Sequence, residues 1–145
     1  MQWQESTNGF VLRLERGEEV LTSLENFCKE QSVMSAFVCG IGALENVEIC
    51  AYDIKKKTYI CRKFAESQEL LSLLGNVTQS EGKPFCHIHV VLGNEEYHVN
   101  GGHLQSGRVS VTCEIEVRTS SRPIERIADE ETGLHLWKLK NHRSS

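Results

Sequence analysis

Residues 108–118, RVSVTCEIEVR, alternate apolar and polar without a break: Val109, Val111, Cys113, Ile115 and Val117 share one parity, Ser110, Thr112, Glu114 and Glu116 the other. Residues two apart on an extended chain share a face, whereas on a helix they would scatter around the axis, so the pattern predicts a half-buried strand. One strand cannot stand alone, and the chain offers partners. Residues 11–16 alternate in the same way after the turn signal Asn8-Gly9 and end on Gly17. Residues 35–44 and 45–53 read as two short strands, the first broken at Gly40 and Gly42, and a hairpin connection at 53–57 leads into a further strand at 58–64. More strand-like segments follow at 68–80, 86–92 and, near the end, in GLHLWKL; HLQSG reads as a separate short segment before the alternating run. Helical spacing occurs early, where Val20, Leu21, Leu24, Phe27 and Cys28 recur between 18 and 31, with Glu18 and Glu19 in the first turn. The expected fold is α+β: a mostly antiparallel sheet with one main N-terminal helix. A length of 145 residues suits one domain, 1–145, with its core at about 9–119 and a C-terminal strand and tail at 120–145.

Composition excludes several classes. A hydrophobic share of 39% and a charged share of 25% sit in the globular range, which argues against disorder. No apolar run approaches the ~20 residues of a membrane span, and MQWQESTNGF lacks the basic-then-apolar layout of a secretion signal, so a cytoplasmic location is expected. The formal charge of −4 argues against a domain built to grip phosphate backbones. The basic runs KKK at 55–57 and KLKNHRSS at the end read as a solvated hairpin tip and a solvated tail. Gly40 and Gly42 read as bulge or tight-turn residues, because strand-like residues follow where a dinucleotide or phosphate loop would open a helix. Cys28, Cys39, Cys50 and Cys61 fall at intervals of eleven, but their surroundings do not repeat and no CxxC pair occurs. Reduced structural thiols are the expectation in a reducing compartment.

The chemistry concentrates in PFCHIHVVLG. His87 and His89 lie two apart in a strand-like run, so both project from one face with Cβ atoms about 6.5–7 Å apart. Two imidazole nitrogens on one tetrahedral zinc lie roughly 3.4 Å apart, which inward-leaning rings can reach. His103, behind the flexible Asn100-Gly101-Gly102, is the candidate third ligand, its two glycines supplying unusual backbone angles. The competing reading is that these histidines are hydrogen-bonded core residues or partners of acids. Imidazole ligands suit zinc first and also copper, nickel and iron. Glu114 is the candidate acid. If residues 108–118 pair with the histidine strand, its carboxylate could serve as fourth ligand, as acceptor for an imidazole N–H, or as a catalytic base; otherwise it is an exposed carboxylate on the wet side of its strand. Glu69 competes for the same roles, and His98, His135 and His142 read as surface or loop residues.

GIGAL at 40–44, ELLSLLGN at 69–76, HIHVVL at 87–92 and GGHL at 101–104, followed by GRVSVTCEIEV, resemble in order the plant-and-prokaryote-conserved (PPC) domain family. The resemblance covers residues 10–118 or so. It implies a homotrimer, an antiparallel sheet of seven or so strands, and, as in prokaryotic members, a metal held by His87, His89 and His103. Plant members join the domain to an AT-hook and assemble nuclear DNA-binding proteins. No RGRP-type hook is read here, so a stand-alone prokaryotic type is expected and direct minor-groove binding loses its support. The family is also similar in fold to metal-dependent enzymes such as acetolactate decarboxylase, which opens a small-molecule hydrolase or decarboxylase-like reading beside that of an oligomerising, transcription-related interaction module.

Overall fold

The turn signal at Asn8-Gly9 joins two strands, β1 (Gln2–Ser6) and β2 (Gly9–Glu15), paired antiparallel from Gln2 against Arg13 to Ser6 against Gly9. The structure, a computed structural model, describes residues 1–140. Every residue of β1 is exposed, which is why no alternation in the sequence marks it. The helix α1 (Val20–Glu30) buries Val20, Leu24, Phe27 and Cys28, the stripe expected from their spacing. Its two acids are not in the first turn. Glu19 is the N-cap, its carboxylate accepting the Thr22 N–H at 2.7 Å, and Glu18 lies ahead of the helix, where it accepts from the N-terminal ammonium at 2.8 Å. The cap satisfies an N–H that has no partner inside the helix.

The chain continues through β3 (Ala36–Asp53), β4 (Thr58–Phe64), β5 (Gln68–Ser80), β6 (Lys83–Gly93), β7 (Val99–Thr119), β8 (Glu125–Ala128) and β9 (His135–Lys138). The two strands expected at 35–53 are one strand of 18 residues, and HLQSG belongs to a β7 of 21. Glycine explains the first difference: it bends the strand without ending it. The pairing of β3 with β5 shifts between Gly40 and Gly42, and a Cβ would stand 2.4 Å from the Glu114 carbonyl oxygen at Gly40 and 2.2 Å from that of Thr112 at Gly42. These are close-approach and bulge positions, as read. Opposite them β7 bulges too. Its register against β3 runs from Cys113↔Gly42 to Val109↔Leu44, four residues against two, and Val111, expected in the core, is turned out with 69% of its surface exposed.

One nine-stranded sheet contains all of these strands. Its ladders are antiparallel except for a parallel contact of Gln79 with Glu125, so the sheet is mixed, and it has more strands than the seven or so implied by resemblance. Four strands close a ring: β3 pairs with β5, β5 with β6, β6 with β7, and β7 with β3. The length of β7 makes this possible, because residues 99–103 pair with β6 and the chain beyond pairs with β3. The hydrophobic core joins α1 to the inward parity of the strands, with Leu24, Phe27, Ile88, Leu92 and Val109 fully buried. Among the described residues no helix is long and apolar enough to cross a membrane.

The short strands β8 and β9 form an arm folded over the β3–β4 hairpin. Tyr52 donates its hydroxyl to the Thr132 carbonyl at 2.6 Å, the Lys57 ammonium donates to the Glu130 carbonyl at 2.7 Å, and Trp137 meets Phe37 edge-on at 6.2 Å. The expectation of reduced thiols is corrected at one place, where Cys50 and Cys61 form a disulfide across this hairpin. Cys28, Cys39, Cys86 and Cys113 are free. The signal was present: the turn pairs Asp53 with Thr58, and counting back three residues on each side puts Cys50 opposite Cys61.

Candidate metal centre

Parity along β6 sends Cys86, Ile88, Val90 and Leu92 into the core and leaves Phe85, His87, His89 and Val91 on the other face. His89 stands directly opposite His103 on β7, so the strand ladder itself brings the third imidazole to the pair. His103 does not lie on a flexible return. Gly101 and Gly102 are in strand, and neither has the left-handed φ expected of them. Their role is close approach: a Cβ on Gly102 would stand 2.9 Å from the Cys50 carbonyl oxygen.

The three rings converge. Their centroids are 5.1 Å (His87–His89), 5.2 Å (His87–His103) and 5.5 Å (His89–His103) apart, and one nitrogen of each lies within 4.8 Å of the others. The Nε2 atoms of His87 and His89 are 3.3 Å apart, close to the ~3.4 Å spacing of two nitrogens on one tetrahedral zinc. His103 Nδ1 is buried with no hydrogen-bond partner among the described residues, so no protein group fixes the ring's protonated nitrogen. Burial holds His87 down to about 4, with the Arg126 cation and the other two imidazoles adding to it, and burial followed by His89 and Arg126 lowers His103. Neutral imidazoles are the form that ligates. The residues present therefore fit a divalent cation held by three nitrogens, with a further position open.

The depressed His87 carries a pH dependence. Its ordinary value of 6.5 applies to the unfolded chain, which takes up a proton that the folded metal-free chain refuses until about pH 4. Folding stability therefore falls as pH drops through that window. We expect the urea midpoint of the metal-free protein to decrease from pH 7 to pH 4.5, and to decrease less in His87→Gln; an equal decrease in both would remove His87 as a cause.

Around the rings, Tyr59 on β4 stacks on His103 at 5.3 Å and meets Tyr52 edge-on at 5.0 Å. On β5, Asn76 is the cross-strand partner of His87, and at the neighbouring Gly75 a Cβ would stand 2.2 Å from the His87 carbonyl oxygen and 2.6 Å from Ile88 Cδ1. Gly75→Ala is therefore expected to force β6 away from β5, destabilising by about 1–3 kcal/mol, the ordinary cost of overpacking, and weakening metal binding with it. Urea denaturation and metal titration of this variant check both parts.

The other sequence candidates lie elsewhere. Residues 108–118 pair with β2 and β3, not with the histidine strand, so the pairing that would carry Glu114 to the imidazoles does not form. Glu114 is exposed opposite Arg13 and Ile41 and lines an open groove of about 890 Å³ with Trp3 and Val11. Glu69 is exposed opposite Gly93, at the far end of β6 from His87. His98 and His135 are exposed as read, and His142 lies outside the described residues. Sequence reasoning missed Arg126 on β8, which donates to Asn76 beside the triad. Nothing in RPIERIADE marks it, because its position depends on where the arm docks.

Comparison with known proteins supports this architecture. The family model for the Plants and Prokaryotes Conserved (PCC) domain matches residues 1–121. No curated protein sequence matches the chain. Among solved structures, a plant- and prokaryote-conserved (PPC) protein of Pyrococcus horikoshii is 38% identical, with a TM-score of 0.85 over 97% of this chain and 96% of its own. A metal-containing protein of Archaeoglobus fulgidus is 39% identical, with a TM-score of 0.84 over 95% of this chain and 97% of its own. A protein provisionally described as DNA-binding, from Bacteroides thetaiotaomicron, is 26% identical, with a TM-score of 0.91 over 94% of this chain and 96% of its own.

Proposed function

We propose that this chain, which belongs to the Plants and Prokaryotes Conserved domain family, is a homotrimeric metal-binding protein that holds one divalent ion, zinc first, on His87, His89 and His103. The carrying observation is the convergence of the three imidazoles, with two Nε2 atoms 3.3 Å apart and a buried, partnerless Nδ1 on the third. The metal-containing relative supports the reading. A cation bound there would supply Lewis acidity toward a small carbonyl or carboxylate compound. The residues around it have separate tasks: Tyr59 packs against the His103 ring, and the β5–β6 ladder holds His87 and His89 on one face. Elemental analysis of the purified chain tests the reading. Close to one equivalent of zinc or another first-row metal is expected, and a chain that neither carries metal nor takes up added Zn²⁺ overturns it.

Trimer formation is supported by apolar side chains on strands that line the open side of the sheet: Phe37, Ile41 and Leu74 are 52%, 57% and 59% exposed. Singly exposed apolar residues are ordinary, but a cluster of large ones marks a contact surface. Sedimentation equilibrium is expected to return three times the 16.4 kDa chain mass; a monomer mass at micromolar concentration refutes the assembly.

The relative described as DNA-binding favours a second reading, an oligomerising module associated with DNA or transcription. The formal charge of −4 weighs against direct contact with phosphates and leaves a protein partner as the route. A gel-shift titration at near-physiological salt separates the two routes, since direct DNA binding requires an affinity tighter than the ~10⁻⁴–10⁻⁶ M typical of nonspecific association.

A further inference from the structure

Arg126 is a half-buried cation held only by neutral groups. Its Nε donates to Thr78 Oγ1 at 2.8 Å, Nη1 to the His135 carbonyl at 2.8 Å and Nη2 to Asn76 Oδ1 at 2.9 Å, while its guanidinium carbon sits 4.9 Å from the centroid of the Phe85 ring. Among the described residues no carboxylate comes within 4.0 Å of it to form an ion pair. A guanidinium has five N–H donors, so one on Nη1 and one on Nη2 are left over. Its place in the fold is specific. Asn76 is the cross-strand partner of His87, and Phe85 lies on the same face of β6 as His87 and His89. The guanidinium therefore lies over that face, alongside the imidazole cluster.

A guanidinium on the face that carries three metal-ligating nitrogens would add its charge to that of a bound cation, and among the described residues no carboxylate pairs with it. Partly desolvated charges need a counter-charge, and a guanidinium recognises oxyanions through paired N–H donors. Fastening β8 to β5 uses three of its five N–H donors, all on neutral acceptors, and leaves its charge uncompensated. We propose that Arg126 is an anion-binding residue of the histidine site, and that the ligand of this protein is a small oxyanion, carboxylate or phosphate in type, with one oxygen toward the triad and another on the free Nη donors. This rests on the metal reading above and adds the ligand's chemical class to it.

The test uses the full chain loaded with Co²⁺, whose visible absorption reports both metal binding and changes in its ligands. Acetate and inorganic phosphate, titrated separately, are expected to shift the bands saturably, while neutral acetamide does not; whichever of the two binds tighter identifies the source. In Arg126→Gln the cobalt bands persist and anion affinity falls at least about tenfold, the loss expected from one charge-assisted hydrogen bond. Arg126→Lys keeps the charge but not the fork, and falls between. Unchanged anion affinity in Arg126→Gln overturns the proposal, as do equal losses in the Gln and Lys variants accompanied by a changed circular dichroism spectrum, which would mark a purely structural fastening. If wild-type protein gives no cobalt bands, the metal reading fails by itself. Calorimetry of phosphate on the metal-free chain then decides the role of Arg126, with absence of heat overturning it and heat that is lost in Arg126→Gln upholding it.

Discussion

His87→Ala and His89→Ala are each expected to reduce bound metal in the purified protein from about one equivalent to background, with Zn²⁺ affinity lowered by more than about 100-fold. Removing a group that merely orients a metal ligand costs 10–100-fold, so loss of a ligand must exceed that range. The two positions should also be alike, because both rings leave the same face of β6 and their Nε2 atoms are 3.3 Å apart. Folding is not expected to suffer, since neither side chain belongs to the core and Ile88 between them remains fully buried. Matched circular dichroism spectra with unchanged metal content in both variants would show that the rings converge for another reason.

The largest stability effect is expected at Phe27. This ring is fully buried and meets Trp3 edge-on at 5.6 Å and Phe10 edge-on at 5.1 Å, while Trp3 and Phe10 meet at 5.7 Å. One residue therefore ties α1 to the β1–β2 hairpin. Phe27→Ala should cost about 3–5 kcal/mol, from lost burial together with the cavity left behind. At this chain length that corresponds to a drop in Tm of roughly 10–15 °C. Differential scanning calorimetry at fixed metal content checks it, and a drop of only a degree or two would mean that neighbouring groups collapse into the space.

Much of this architecture could be read from residue order. Alternation identified β2 and the second half of β7, because those segments have one buried and one open face, and the histidine strand was read from an apolar run that holds two imidazoles two residues apart. The helix was legible for the same reason, with its period changed. Elements that bury nothing were silent: β1 is exposed along its length, and β8 and β9 are short and mostly exposed. The long β3 was read as two short strands around the bulge at Gly40 and Gly42, whereas the bulge near Val111 went unseen and that residue was assigned to the core face. For the site, the spacing of His87 and His89 gave the pair and His103 was named as the third ligand, though by a flexible return and not by the β6–β7 register that brings it there; Glu114 takes the exposed position that was its alternative reading, because its strand pairs with β2 and β3. Arg126 depends on tertiary docking alone, to which a one-dimensional pattern is blind.

The ring of β3, β5, β6 and β7 bears also on aggregation. Residues 89–93 of β6 have neighbours on both sides, so their backbone amides and carbonyls are not available to recruit a foreign strand. Open edges are left on β1, β4, β9 and the first half of β6, and these carry protective residues: β1 is polar and only five residues long, β4 has Arg62 and Lys63, β9 has Lys138, and β6 begins Lys83-Pro84. A chain so rich in strands thus closes off the apolar second half of the histidine strand and leaves protective residues on the edges where fibril growth could start.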